Sequence, residues 1–242
     1  MSASGRPVIP RVNSLESGLF ELDLTAVVGP QIAGISVGKI RIPEDIRRID
    51  SKLATIEGRL GIPSGTIGIL PWIETAGALT KATEICGASS RVRWVAFGAE
   101  DLTADMGVPR ASDQEGSGVG EPLLVHARAL VAIAARASGA WALDTPYVHF
   151  RDEPGLIREA LLARQLGFKG KFAIHPAQVE PINRAFSPSE AEVSRARKVI
   201  DAWEAAAKEG RGAISIDGEM IDVPVVARAR ALLREAGEMG GP

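Results

Sequence analysis

"WVAFGAEDL", residues 94–102, decides how the rest of the chain is read. Trp94 to Phe97 is a short apolar run that ends at Gly98, and Glu100 and Asp101 follow at once. A run that is apolar throughout and stopped by a glycine reads as a buried strand of a parallel sheet. Two acids at the tip of such a strand are not needed for solubility. In parallel α/β sheets the carboxyl ends of the strands are where sites are built.

Outward from this stretch the pattern alternates. Strand-like runs occupy 8–12, 34–37, 66–73, 94–98, 141–146 and 171–175, with helical stretches at 43–60, 76–86, 120–138 and 154–166 between them. Pro43, followed by Glu44 and Asp45, suits a first helical turn. In 120–138, Leu123, Ala127, Leu130, Val131 and Ala134 fall on one side at helical spacing. Strands alternating with helices mean βαβ units and a parallel sheet. About six strands are legible. A closed (β/α)8 barrel needs eight, and an open doubly wound sheet needs five or six. The first strand runs into "RVNSLESG", with no glycine-rich dinucleotide turn and no P-loop.

The alternation stops after "AIHPAQVEPIN". Residues 188–209 read as a charged amphipathic helix, opened by Ser187-Pro188-Ser189-Glu190. "GAISIDGEMID" then reads as a hairpin around Asp217-Gly218, and a last helix spans 223–237. The polar, glycine-rich segment 111–119 reads as a mobile loop of the kind that covers sites.

Composition sets the bounds. The 242 residues are 45% hydrophobic and 24% charged, which is ordinary for a soluble globular protein of one large domain with or without an appendage. A net charge of −2 gives no argument for a nucleic-acid or anionic-membrane surface. Cys86 is the only cysteine, so there is no intrachain disulfide and no thiolate metal cage. It reads as a small buried hydrophobe. "MSASGRPVIP" lacks the apolar core of a secretion signal, and no stretch approaches about 18 uninterrupted apolar residues. These features place the protein in the cytoplasm.

The strand ends give the candidate chemistry. They carry Arg11 and Asn13, then Lys39, Glu74, Glu100 with Asp101, Asp144 and His175. Carboxylates and a guanidinium on one rim suit a hard cation, since Mg²⁺ takes one or two protein carboxylates and fills its octahedron with water and substrate oxygens. An arginine beside it can hold a substrate carboxylate with two parallel hydrogen bonds. Together they match chemistry on a 2-oxo acid. Each acid also has a plainer role. Asp101 and Glu74 both stand where a helix cap would, and Lys39 suits either a Schiff base or a surface strand end. Trp72 and Trp94 read as packing residues.

The stretches "GILPWIETAGAL", "VRWVAFGAEDLTADMG", "DTPYVHFRDEPGL", "GFKGKFAIHPAQVEPIN" and "GEMIDVP" resemble the citrate lyase β-subunit group of the HpcH/HpaI aldolase superfamily, which includes malyl-CoA and citramalyl-CoA lyases. The resemblance runs from about Val8 to about Ala236. It implies a TIM-type (β/α)8 barrel over residues 1–186 and a C-terminal helix–hairpin–helix appendage over 187–242. It implies Mg²⁺ at the carboxyl rim and making or breaking of a carbon–carbon bond between an acetyl-CoA-type thioester and a 2-oxo acid. Glu74 and Asp101 match the metal carboxylates, with Glu74 also against the substrate. Arg11 matches the arginine that grips the substrate carboxylate, and the backbone N–H groups near Gly98 and Ala99 would face the oxo acid. Asp222 matches an acid that reaches a neighbouring subunit's site and transfers a proton, which makes a homo-oligomer, a trimer or a multiple of it, necessary.

The family pattern begins upstream of Met1, so the barrel is expected to be truncated to about six strands, with open edges and exposed apolar surface. Two other functions stay open at this point. One is a CoA-independent 2-oxo acid aldolase, the other a truncated, non-catalytic binding subunit.

Overall fold

The computed structural model describes residues 5–108, 122–208 and 213–238. The chain divides into two compact units, Met1–Ile182 and Asn183–Pro242. Segment 111–119 lies outside the described residues.

The first unit runs β1 (Arg11–Val12), α1 (Phe20–Val27), β2 (Gly34–Val37), α2 (Pro43–Leu60), β3 (Gly68–Ile73), α3 (Ala76–Thr80), α4 (Ala82–Cys86), β4 (Trp94–Phe97), α5 (Ala99–Met106), α6 (Pro122–Ser138), β5 (Trp141–Asp144), α7 (Glu153–Gln165) and β6 (Gly170–Lys171). All six strands form one sheet in the order β1-β2-β3-β4-β5-β6, every pair parallel. A doubly wound sheet reverses its strand order at a switch point. This one never does, so the chain winds as a barrel does. Among the described residues β1 and β6 pair on one side only.

The strands follow from sequence. Two of them, β2 and β3, are buried along their whole length, the pattern of a sheet covered on both faces. Alternation turns Leu70, Trp72 and Ala96 to one side, where Ile9, Trp94, Leu143 and Phe172 pack against them. Trp72 of β3 stacks on Phe172, just past β6, with ring centroids 4.7 Å apart. Strands three places apart therefore meet across this face, and the sheet is curled around it.

Several elements differ in extent from the sequence reading. The first strand is short because Pro7 and Pro10 have no N–H to give, although Ala33 N–H still donates to the Val8 carbonyl and Ser36 N–H to the Pro10 carbonyl, both at 2.8 Å. Strand β6 stops at Lys171 instead of reaching residue 175. Gln178 accepts from the Ile174 N–H at 2.9 Å, and His175 caps a 3₁₀ turn, Pro176–Gln178. The expected helix 76–86 is broken at Lys81, whose φ and ψ of −111° and 12° leave the helical region. In α6 the buried face holds Leu124, Ala127, Arg128, Val131 and Ala134, while Leu130 is 50% exposed. The stripe is rotated because a buried arginine claims part of it.

Helix α2 shows its sequence logic in full. Pro43 opens it, Asp45 accepts from the N–H groups of Arg41 and Ile42 at 2.9 and 3.2 Å, and Gly61 ends it at φ 67°. Among the described residues no helix is long and apolar enough to cross a membrane.

Helix α8 (Val179–Phe186) runs across the boundary between the two units. The second unit holds α9 (Glu190–Lys208), the antiparallel pair β7 (Ile214–Ile216) and β8 (Glu219–Ile221), and α10 (Val223–Glu235). Ser189 and Glu192 form a reciprocal capping box that starts α9 two residues later than the proline suggested. Asp217 and Gly218 both have positive φ, 51° and 83°, as a two-residue type I′ turn requires. Ala196, Val199, Ile200, Ile221, Val226 and Leu233 make this unit's own core.

Candidate active site

The side of the sheet that carries Trp72 also carries, at its carboxyl end, Arg11, Gly38, Glu74 and Gly98. Glu74 follows Ile73, the last residue of β3, and is 1% exposed. Two glycines make room for it. A Cβ on Gly98 would lie 2.6 Å from the Glu74 Cβ and 3.0 Å from its Oε2. A Cβ on Gly38 would lie 3.1 Å from Arg11 Nη2 and 3.2 Å from Glu74 Oε1, so guanidinium and carboxylate converge over one glycine. The Arg11 guanidinium carbon lies 4.8 Å from the centre of the Trp72 ring, and Trp72 Nε1 donates to Ser36 Oγ at 2.8 Å. Trp72 is thus more than packing. It is a fixed platform for an exposed arginine.

Asp101 sits one strand further on, in the first turn of α5. The plainer reading of both acids as helix caps does not hold. Gly98 is the N-cap residue of α5, and Thr75 caps α3 by accepting from Ala78 N–H at 3.1 Å. Glu74 and Asp101 are instead joined through Lys39. Its backbone N–H donates to Glu74 Oε1 at 2.6 Å, and its ammonium pairs with Asp101 Oδ1 and stands 3.9 Å from Glu74 Oε1. Burial pushes the Glu74 carboxyl above its ordinary value. The nearby Asp101 charge adds to this, and Lys39 and Arg11 oppose it.

This arrangement fits a hard divalent cation. Two oxygen donors already share one positive charge, and Mg²⁺ asks for no more protein carboxylates than that. Among the described residues there is no gathering of three or more His, Cys, Asp or Glu side chains suited to a metal. Further ligands would come from water and substrate.

Other candidates fall elsewhere. The Gly98 N–H donates to the Ile73 carbonyl at 3.0 Å and the Ala99 N–H to Thr145 Oγ1 at 3.3 Å, so both expected oxo-acid donors are engaged within the chain. Gly98 instead shapes the site by its close approach to Glu74. Asp144 points to the opposite side of the sheet from Leu143, into a buried network. Arg128 Nε donates to Asp144 Oδ1 at 2.8 Å, and Lys171 Nζ donates to Asp144 Oδ2 and to the Thr145 carbonyl at 2.7 Å each; Glu159 completes it. Asp222 belongs to the second unit and caps α10, accepting from Val225 N–H at 3.3 Å. The Cys86 thiol is buried and pushed up to about 12, which removes it as a nucleophile. Glu100 is exposed in the first turn of α5.

Four contributors were not singled out from sequence for these roles: the Lys39 ammonium, Trp72 under Arg11, Gly38, and Thr145 behind Ala99. Only Lys39 had a signal, as a lysine just past a strand end. Its left-handed backbone, φ 59°, has none in the sequence.

The comparisons follow the same outline. The family model described as HpcH/HpaI aldolase/citrate lyase matches residues 2–176. The citrate lyase subunit beta of Leuconostoc mesenteroides is 37% identical over 229 residues, covering 95% of this chain and 74% of that protein. The mitochondrial citramalyl-CoA lyase of Mus musculus is 31% identical over 235 residues, covering 92% and 67%. Protein CitE from Mycobacterium tuberculosis, solved in complex with magnesium, acetoacetate and coenzyme A, matches with a TM-score of 0.76 and 29% identity, over 94% of this chain and 77% of that one. The singly wound sheet, the strand-end acids and these similarities agree: the chain belongs to the HpcH/HpaI aldolase/citrate lyase family.

Proposed function

We propose that the chain is a Mg²⁺-dependent carbon–carbon lyase of the citrate lyase β type. It would split a malyl-CoA-like or 3-hydroxy-3-carboxyacyl-CoA thioester into an acetyl-CoA-type thioester and a 2-oxo acid, or join the two. The observation that carries this reading is that Glu74 and Asp101 share one cation position beside the Arg11 guanidinium. The names of the relatives, and the magnesium, acetoacetate and coenzyme A of the M. tuberculosis structure, support it.

Glu74 and Asp101 would hold the cation, which when bound supplies a Lewis acid for the oxygens of the oxo-acid half. Arg11, braced by Trp72, would take the substrate carboxylate with its planar fork. In the cleavage direction the substrate hydroxyl gives its proton to solvent water and becomes the carbonyl of the 2-oxo acid, a loss that the proton later added at carbon balances. The electrons of the breaking carbon–carbon bond pass to the thioester as its enolate, which then takes a proton at the α-carbon. We assign that proton to Asp222 of a neighbouring copy, in a homo-oligomer. The resemblance of "GEMID" supports this, as does the hairpin that presents it between exposed Met220 and Val223, 69% and 65% accessible.

Binding is the direct test. Titration calorimetry should show a 2-oxo acid such as pyruvate or oxaloacetate bound only with Mg²⁺ present. The binding should vanish in Asp101→Ala and weaken in Arg11→Met. Uptake of the oxo acid that ignores Mg²⁺ would contradict the reading.

A further inference from the structure

We propose that Lys39 is a built-in competitor for the cation site: its ammonium neutralises Glu74 and Asp101 when no divalent cation is bound, and must withdraw for one to enter. The inference rests on the reading of those two carboxylates as cation ligands.

The geometry gives Lys39 two separate attachments. Its backbone N–H is fixed on Glu74 Oε1 at 2.6 Å, while its side chain turns back to pair with Asp101 and to approach Glu74 at 3.9 Å. That double reach needs an unusual backbone. Lys39 and Asp217 are the two non-glycine residues with positive φ among those described, and Asp217 sits in a hairpin turn that demands it. At Lys39 no turn type explains the strain. What it accomplishes is to hold the amide on one acid and aim the ammonium at the other.

Electrostatics gives a reason for the device. Glu74 is 1% exposed and carries no other ion pair than this one among the described residues. A buried carboxylate without a compensating charge is costly, and a second carboxylate nearby makes it worse. The ammonium meets that need without being trapped. The Lys39 and Asp101 side chains are each 47% exposed, so the ammonium can return to water while its own N–H stays on Glu74. A lysine suits this better than an arginine. It is a strongly hydrated point charge on a flexible stem, without the planar fork that would clamp both oxygens of a carboxylate.

Affinity for a divalent cation is then net of displacing the lysine. Removing its charge should tighten Mg²⁺ binding about three- to tenfold, the scale of one partly exposed charge-assisted pair. The test is titration of the 242-residue chain with Mg²⁺ alone, at fixed pH and ionic strength, by calorimetry and by the shift in Tm. Lys39→Met should bind Mg²⁺ more tightly, start from a lower Tm without Mg²⁺ and show a larger Mg²⁺-induced rise. Lys39→Gln provides a second neutral side chain should the first fold poorly, and Lys39→Arg should bind no tighter than wild type. If wild type binds Mg²⁺ and both neutral variants bind it equally or more weakly, the inference is overturned while the site reading stands. If neither wild type nor the variants bind Mg²⁺, the site reading fails and the inference with it.

Discussion

Gly98 and Glu74 stand so close that a methyl group on the glycine would lie 2.6 Å from the Glu74 Cβ. The contact is with the root of the side chain rather than its flexible end, so Glu74 itself must shift. Gly98→Ala should therefore destabilise the chain by about 1–3 kcal/mol, the usual cost of overpacking. It should also weaken Mg²⁺ binding at least about tenfold, because a displaced ligand loses its geometry. Denaturant melts and calorimetry check the two effects separately.

Glu74 illustrates a site that costs stability. Its carboxyl is held above the ordinary value mainly by burial, so ionisation is harder in the folded chain than in the unfolded one. For such a group stability declines as pH rises from 4.5 through the folded value. Glu74→Gln should leave the chain equally or more stable at neutral pH without Mg²⁺, and should abolish Mg²⁺-dependent stabilisation. Paired thermal melts with and without Mg²⁺ read both.

Arg11 is exposed and rests on Trp72, so it can be removed without opening the core. Arg11→Met should lower kcat/KM by about tenfold to a hundredfold, the scale of hydrogen bonds to a charged group. Mg²⁺ binding should be kept or slightly tightened, since a cation near Glu74 is gone. Loss of Mg²⁺ binding in this variant would mean that Arg11 supports the carboxylates instead of the substrate.

Behind the sheet, burial alone would raise the Asp144 carboxyl, but the charges of Lys171 and Arg128 outweigh it and hold it below its ordinary 3.8. The stability it contributes is full above 3.8 and is lost as pH falls through the lower, folded value. Asp144→Asn should flatten the acid limb of the stability profile. It should also cost about 3–5 kcal/mol at neutral pH by leaving two buried cations short of a partner. Urea melts across an acid series measure both.

Periodicity alone located all six strands and the large helices α2 and α7, because burial on a covered sheet forces apolar runs and apolar stripes. It could not choose between barrel and doubly wound winding, since strand order is a matter of pairing partners far apart in sequence. Residue type placed Arg11, Glu74 and Asp101 at strand ends. The Arg11–Trp72 platform, the two glycines crowding Glu74 and the left-handed Lys39 were not legible, because each depends on which atoms meet across neighbouring strands. Asp144 misled for the opposite reason. A strand-end acid is equally at home on the helix-covered face when buried cations meet it there.

The most direct measurement is the mass balance of thioester cleavage. Malyl-CoA or citramalyl-CoA is supplied with Mg²⁺, and the acetyl-CoA-type thioester and the 2-oxo acid are quantified together. Equimolar release of the two products is expected, stopped by a chelator and reduced at least about a hundredfold in Asp101→Ala, as for loss of a main electrostatic contributor. Cleavage that continues unchanged in Asp101→Ala or in the presence of chelator would contradict it.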